Sequence, residues 1–294
     1  MIDTSYFEPA DLREARTLLA RHPNAAVLAG GTDLVVGARS GKRPLPESIV
    51  SIHRVQELRG IESLRSGGLK IGALTTHEDL EASATVTHSW SALGDAAALV
   101  GSPATRHLGT VGGNVCNASP AMEIGSPLLV FDARVELVSK GRGRRVPFSE
   151  FVMSPGRTSA AAGELVTAVT LPALPKRFAT GSAYLRLEYR QAMEIAVVGA
   201  AALVAIDRRG RCRLARIALT AVAPTCIRAT AAEAELSGEH LDQEAFDKAG
   251  QTAAVAARPI DDVRASADYR RAMVAVIVAR VIERAAARAQ KRAQ

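Results

Sequence analysis

The stretch Val27-Leu28-Ala29-Gly30-Gly31-Thr32-Asp33-Leu34 runs from apolar residues into two glycines and two small polar side chains. Such a sequence ends a buried strand in a turn free of side chains. Glycine lets the backbone approach a ligand closely, and successive N–H groups then point at an anion. Thr32 and Asp33 can cap the next element or bond the ligand. A second stretch of this kind, Gly109-Thr110-Val111-Gly112-Gly113-Asn114, comes further along the chain. Taken singly, each reads as an ordinary turn. As a pair, each with a threonine, they suggest two loops gripping one long, phosphate-bearing ligand. Neither has the Gly-x-x-x-x-Gly-Lys run of a P-loop, and neither has the Gly-x-Gly-x-x-Gly fingerprint of a Rossmann site.

Composition narrows the classes. The chain has 294 residues, 48% hydrophobic, enough for one large core or two modest ones. No apolar run is long enough to span a bilayer, and the N-terminus shows no basic n-region or apolar h-region, so a cytoplasmic protein is expected. Cys116, Cys212 and Cys226 are scattered, which supports neither a disulfide framework nor an iron–sulfur site. The net charge is 37 − 30 = +7, but aromatic residues make up only 4% of the chain. The basic segments, Arg142 to Arg145 among them, therefore read as solvated edges and not as a nucleic-acid platform. His53, His77 and His107 lack metal-ligand spacing and read as core or surface histidines. For His107, just before the second glycine stretch, an approach to the ligand is the alternative. Cys116 reads as packing.

The elements that must position these residues follow from pattern. Tyr6 to Pro9 is an extended lead-in. Asp11 caps a helix with Leu12, Ala15, Leu18 and Leu19 on one face. Val27 to Ala29 and Ser48 to Ile52 are strands of a βαβ-like unit, separated by a basic loop at Gly41 to Pro46. A hairpin turns at Ser66-Gly67-Gly68, and Thr76 caps a helix. Ala92 to Val100 is an alanine-rich helix that ends at Gly101-Ser102-Pro103, where the chain enters the second glycine stretch. Pro127 to Val138 is a helix or a strand pair. Arg145 to Phe151 and Glu164 to Leu171 are strands. Leu171 to Lys176, with two prolines, is a linker. Beyond it, Gly181 to Arg190, Ile195 to Ile206 and Cys212 to Val222 form an antiparallel meander. Helices follow at Ala229 to Leu236, Gln243 to Ala257 and Ala267 onward, the last with Tyr269, Met273, Val276, Ile277 and Ile282 on its apolar side.

Taken together, Ala29-Gly30-Gly31-Thr32-Asp33, Thr110-Val111-Gly112-Gly113-Asn114, Asn117-Ala118-Ser119-Pro120-Ala121-Met122-Glu123 and Arg264-Ala265-Ser266-Ala267-Asp268-Tyr269-Arg270 resemble phrases of one family. That family is the flavin-binding middle subunit of the molybdenum hydroxylases, among them xanthine dehydrogenase, aerobic carbon monoxide dehydrogenase and N-heterocycle and aldehyde dehydrogenases. The resemblance implies an α+β chain with a two-lobed FAD-binding domain of the p-cresol methylhydroxylase/vanillyl-alcohol oxidase type. This domain would span 1–174, with lobes near 1–56 and 57–174, followed by a smaller domain of antiparallel sheet and helices over 175–294.

The resemblance also implies the roles. Val27 to Leu34 and Thr110 to Asn114 would hold FAD non-covalently, their N–H groups on the pyrophosphate and the hydroxyls of Thr32 and Thr110 beside them. Glu123 stands where the family often has Asp, as a ribose or adenine contact. Arg186 stands where the family usually has Lys, near the isoalloxazine, where fixed positive charge favours anionic reduced flavin. Tyr184 beside it either shields the ring or sits in the core. No catalytic residue beyond the flavin and no metal are expected on this chain. Two 2Fe–2S clusters would lie on a small iron–sulfur partner and the molybdenum cofactor on a large one, in a dimer of heterotrimers. Electrons would pass from the clusters through FAD to NAD, quinone or oxygen. The rival readings are a self-sufficient flavin oxidase or reductase and a basic nucleic-acid-binding protein.

Overall fold

The computed structural model describes residues 4–41 and 44–293. The expected basic loop at 41–46 includes residues 42 and 43, which lie outside the described residues. A small parallel sheet comes first, built from β1 (Ser5–Phe7), β2 (Ala26–Leu28) and β3 (Ser48–Ser51) in the order β1-β3-β2. The intervening helices are α1 (Leu12–Arg21) and α2 (Leu34–Arg39). Asp11 caps α1 as expected, accepting the Glu14 N–H at 2.7 Å, and Ala15 and Leu19 bury against Val50 and Ile52.

The second lobe opens with the expected hairpin, β4 (Ile61–Ser63) and β5 (Leu69–Gly72). A helical layer follows: α3 (His77–Ala82), α4 (Ala84–Ser89), α5 (Ser91–Ala97), α6 (Pro103–Leu108), α7 (Val111–Asn117) and α8 (Gly125–Val130). The chain then returns through β6 (Arg134–Val138), β7 (Gly143–Pro147), α9 (Phe148–Phe151), the paired β8 (Val152–Ser154) and β9 (Arg157–Thr158), and β10 (Leu165–Leu171). These give an antiparallel sheet in the order β4-β5-β10-β6-β7.

The last part is the expected meander, β11 (Ala179–Leu187), β12 (Val198–Ile206), β13 (Cys212–Thr220) and a short β14 (Ile227–Arg228). The helices α10 (Thr230–Glu235), α11 (Gln243–Ala256) and α12 (Ala267–Ala293) complete it. Every residue of β12 is buried, and strand alternation shows why. Ala201 and Leu203 join the core that holds Leu93 and Leu128 of the helical layer. Ala200, Ala202 and Val204 join Val278 and Ile282 of α12. A strand covered on both faces needs no polar side. Gly181 lets α12 lie directly on β11, since a Cβ there would sit 2.1 Å from the Ala285 carbonyl oxygen.

Several local expectations change. The glycine stretch at 109–114 is largely helix, because Thr110 caps α7 through the Gly113 N–H at 3.1 Å. A helix, α6, stands where a direct entry into that stretch was expected; Ser102 caps it and Pro103 opens it. The strand expected to Phe151 ends at Pro147, and the helical turn after it brings both Phe148 and Phe151 inward. On α12, Tyr269 and Val276 are exposed, while Val274, Ile277, Val278, Val281 and Ile282 form the buried stripe. No helix among the described residues is long and apolar enough to cross a membrane.

Polar contacts join α5 to the C-terminal sheet. Asp95 accepts from Arg288 at 2.6 Å and from the Tyr184 N–H at 3.1 Å, and the Ser91 hydroxyl donates to the Ser182 carbonyl at 2.8 Å. Removing Asp95 leaves the Tyr184 N–H without its acceptor and Arg288 with only the Ser182 carbonyl. Asp95→Ala should therefore lower the unfolding free energy by about 2 kcal/mol. Denaturation followed by the buried Trp90 checks this; the exposed pair Arg213–Asp207 should contribute far less by the same measurement.

Candidate functional site

The first glycine stretch leaves β2 and turns into α2. Gly31 has φ +71°, a conformation that costs a side-chain-bearing residue, and its carbonyl accepts the Val35 N–H at 3.0 Å. Gly30 serves a different purpose. A Cβ there would lie 1.7 Å from the Leu108 carbonyl oxygen, so this glycine lets the two glycine stretches touch. The N–H groups of Gly31 and Thr32 donate to no acceptor among the described residues.

The second stretch uses its backbone differently from the expectation. The Val111 N–H donates to Thr75 O at 2.9 Å, Gly112 to Ala73 O at 2.8 Å, Gly113 to Thr110 Oγ1 at 3.1 Å and Asn114 to Thr110 O at 2.9 Å. These four donors are satisfied inside the protein and do not face a ligand. Gly112 is a packing glycine, because a Cβ would meet Ala73 Cβ at 2.8 Å. What this stretch offers a ligand is the Thr110 hydroxyl and the Asn114 side chain, whose Oδ1 is buried and without a partner.

Between the two stretches lies a cleft of about 630 Å³. It is lined by Val27, Leu28, Ala29, Gly30, Gly31, Thr32, Asp33 and Leu34 from the first, and by Thr110, Gly113 and Asn114 from the second, with Glu123. Among the site residues read from the sequence, Val111, Gly112 and Arg186 do not line it. Residues that reading missed include His77, Thr105 and Asn117, and also Met193, Glu194 and Ile195 from the segment between β11 and β12. His107 stays outside, exposed and paired with Glu78. Cys116 is exposed and opens onto the cleft. Tyr184 is a core residue, fully buried, with its hydroxyl unpartnered.

The charges here are unusual for an anion site. No lysine or arginine lines the cleft among the described residues, whereas Asp33, Glu123 and Glu194 do. Arg186 lies behind the wall, its side chain 1% exposed. It donates to Glu123 Oε1 at 2.6 Å and through Nε to Glu188 Oε2 at 2.6 Å. Its charge is thus matched by two carboxylates, so it does not present a free positive charge to the cleft. Burial raises the Glu123 carboxyl to about 7 against the opposing pull of Arg186. Burial, aided by the charge of Arg106, lowers His77 to about 4 and keeps its imidazole neutral. No group of three or more His, Cys, Asp and Glu that could hold a metal is found among the described residues. The cleft can therefore accept a long ligand through free N–H groups at Gly31 and Thr32, hydroxyls at Thr32 and Thr110, and the unpartnered Asn114. These features fit FAD.

Comparison with known proteins agrees in both halves. A family described as the FAD binding domain in molybdopterin dehydrogenase matches residues 2–174, and one described as the CO dehydrogenase flavoprotein C-terminal domain matches residues 183–285. The chain is 33% identical over 285 residues to a putative xanthine dehydrogenase FAD-binding subunit of Escherichia coli, covering 97% of each. Among solved structures it resembles carbon monoxide dehydrogenase from Hydrogenophaga pseudoflava, with a TM-score of 0.90 and 33% identity over 97% of this chain and 98% of that one. It also resembles quinoline 2-oxidoreductase from Pseudomonas putida, at 0.89 and 30%, covering 97% of both chains.

Two outcomes follow for the FAD-free chain. Gly30→Ala forces two backbones apart and should cost about 1–3 kcal/mol with loss of flavin binding, measured by denaturation and by FAD titration. Gly141→Ala, with open space around it, is the silent control. The second outcome concerns pH. From pH 4 to 6.5 the unfolded chain binds more protons at His77, so this residue makes stability rise with pH. From 4.5 to 7 the folded chain binds more protons at Glu123, so that group makes stability fall with pH. Glu123→Gln should remove the second slope and steepen the rise between pH 5 and 6.5 by up to about 1.4 kcal/mol per unit, read from unfolding at a series of pH values.

Proposed function

The chain belongs to the FAD-binding subunits of the molybdenum hydroxylases, the xanthine and carbon monoxide dehydrogenase type, and from that premise we propose that it is the middle component of a heterotrimer. In this reading it carries electrons from two 2Fe–2S clusters on a small partner to NAD, quinone or oxygen. The substrate is oxidised at the molybdenum cofactor of a large partner, and two such heterotrimers pair in the cytoplasm. Residues 1–174 form the FAD-binding domain and 175–294 the C-terminal domain. The names of the relatives support the division of labour: they include medium chains and FAD subunits of enzymes acting on carbon monoxide, nicotinate and glyceraldehyde. Such different substrates alongside one flavin subunit type support the reading that substrate choice lies on another chain.

FAD, when bound, accepts and returns the electrons. The residues of this chain hold and orient it. Gly31 and Thr32 offer N–H donors to the pyrophosphate, Thr32 and Thr110 offer hydroxyls, and Asn114 offers its unpartnered amide oxygen to a ligand hydroxyl. Val27, Leu28, Ala29 and Leu34 supply an apolar wall. Glu123 is the acceptor for a ribose or adenine group. Arg186 positions Glu123, and Val111 and Gly112 set the place of α7. The observation that carries the reading is the cleft at the meeting of the two glycine stretches, lined by unpartnered donors and an unpartnered amide.

The visible spectrum of the purified chain, alone and co-expressed with its genomic neighbours, tests this. A flavin spectrum with FAD set free by acid, and iron–sulfur and molybdenum subunits co-purifying, is the expected result. A chain that stays colourless with its partners overturns the assignment.

A further inference from the structure

An FAD pyrophosphate carries two negative charges, and the cleft proposed to hold it contains Asp33, Glu123 and Glu194 but neither lysine nor arginine among its described lining residues. Among the described lining residues, His77 is the only one whose side chain can become a cation. We propose that His77 is a ligand of the FAD pyrophosphate, donating a ring N–H to a phosphate oxygen and supplying the positive charge that the cleft otherwise lacks. The inference rests on the FAD reading above and adds a residue to it.

Geometry places His77 at the right corner. Its backbone N–H donates to the Gly109 carbonyl at 3.1 Å, which fixes the start of α3 against the second glycine stretch. A Cβ on Gly109 would lie 3.3 Å from His77 Cδ2 and 3.7 Å from Thr32 Oγ1. The imidazole, the second stretch and the first therefore meet around one glycine. The side chain is almost wholly buried, 1% exposed, yet Nδ1 has no hydrogen-bond partner. Nδ1 is closed off inside the wall, so the nitrogen offered to a ligand is Nε2, which adjoins Cδ2 on the edge facing Gly109 and has no partner among the described residues.

The surrounding charges explain why the free chain keeps this imidazole neutral and why an anion changes that. Arg106 of α6 acts on it, although its guanidinium is engaged by Glu81 at 2.9 Å and the Val100 carbonyl at 3.3 Å. His107 of α6 is paired with Glu78, and Asp79 is held in the cap of α3. On α5, which also packs on α3, Asp95 is engaged by Arg288; His88 of α4 is exposed. Asp33, Glu123 and Glu194 line the same cleft. With a pyrophosphate in place the nearest strong charge becomes negative, which favours the protonated ring. Proton uptake at His77 thus accompanies FAD binding.

The test titrates the FAD-free full chain with FAD by calorimetry and records the 31P spectrum of bound FAD, for wild type and His77→Gln. Affinity should fall about tenfold or more and a pyrophosphate resonance should move, with the unfolding temperature of the FAD-free chain held or raised. Wild-type affinity with an unchanged 31P spectrum overturns the assignment. Should the variant not fold, the wild-type protein decides: the ring 15N signals of His77 must move toward the imidazolium pattern when FAD is added, and a ring that stays neutral overturns it. A wild-type chain that takes up no FAD is a different result, and it overturns the FAD reading itself.

Discussion

The site depends on one contact between two backbones. Gly30 lies so close to the Leu108 carbonyl that no other residue fits between them, and this closeness brings the first glycine stretch against the second. Each stretch is anchored from behind. The first continues β2, held in a parallel pair with β3. The second is tied through Val111 and Gly112 to the carbonyls of Thr75 and Ala73 at the end of β5. The cleft is thus the seam between two sheets, and its width is fixed by main-chain contacts, which deform far less than side chains.

Much of this was legible. Both glycine stretches, the caps at Asp11 and Thr76, the meander and the long C-terminal helix follow from pattern alone, because period and capping are local properties. The direction in which each glycine works was not legible. Gly31 answers a left-handed turn, whereas Gly30 and Gly112 answer neighbours distant in sequence. A glycine-rich phrase therefore identifies a crowded place without telling whether the crowding comes from a ligand or from the protein. His77 was likewise hidden. As a lone histidine in Thr75-Thr76-His77-Glu78 it looks like the start of a helix, and only the tertiary contact with Gly109 brings it to the cleft.

The buried polar groups between the lobe and the C-terminal sheet add a second constraint. Arg186 on β11 donates to Glu123 beside the cleft and to Glu188 on its own side. A buried arginine shared by two carboxylates contributes little net stability relative to an apolar core, since desolvation opposes the attraction. Its effect is on geometry. It fixes the Glu123 carboxylate, and it also accounts for the adjoining segment, because the Glu194 carbonyl accepts from the same guanidinium at 3.4 Å while Met193 and Ile195 line the cleft.

That arrangement connects the C-terminal sheet to the cleft through a buried side chain. A displacement of β11 relative to the helical layer would move Arg186, and with it both the Glu123 carboxylate and the 193–195 wall. Asp95 and Ser91 oppose such a displacement by holding Arg288, the Tyr184 N–H and the Ser182 carbonyl. The polar contacts thus occur where registration between the sheet and the lobe matters, while the apolar alternation of β12 supplies the adhesion. Apolar faces tolerate sliding more readily than directed hydrogen bonds do. The division explains why charged residues are buried at a junction that could have been made of alanine and leucine alone.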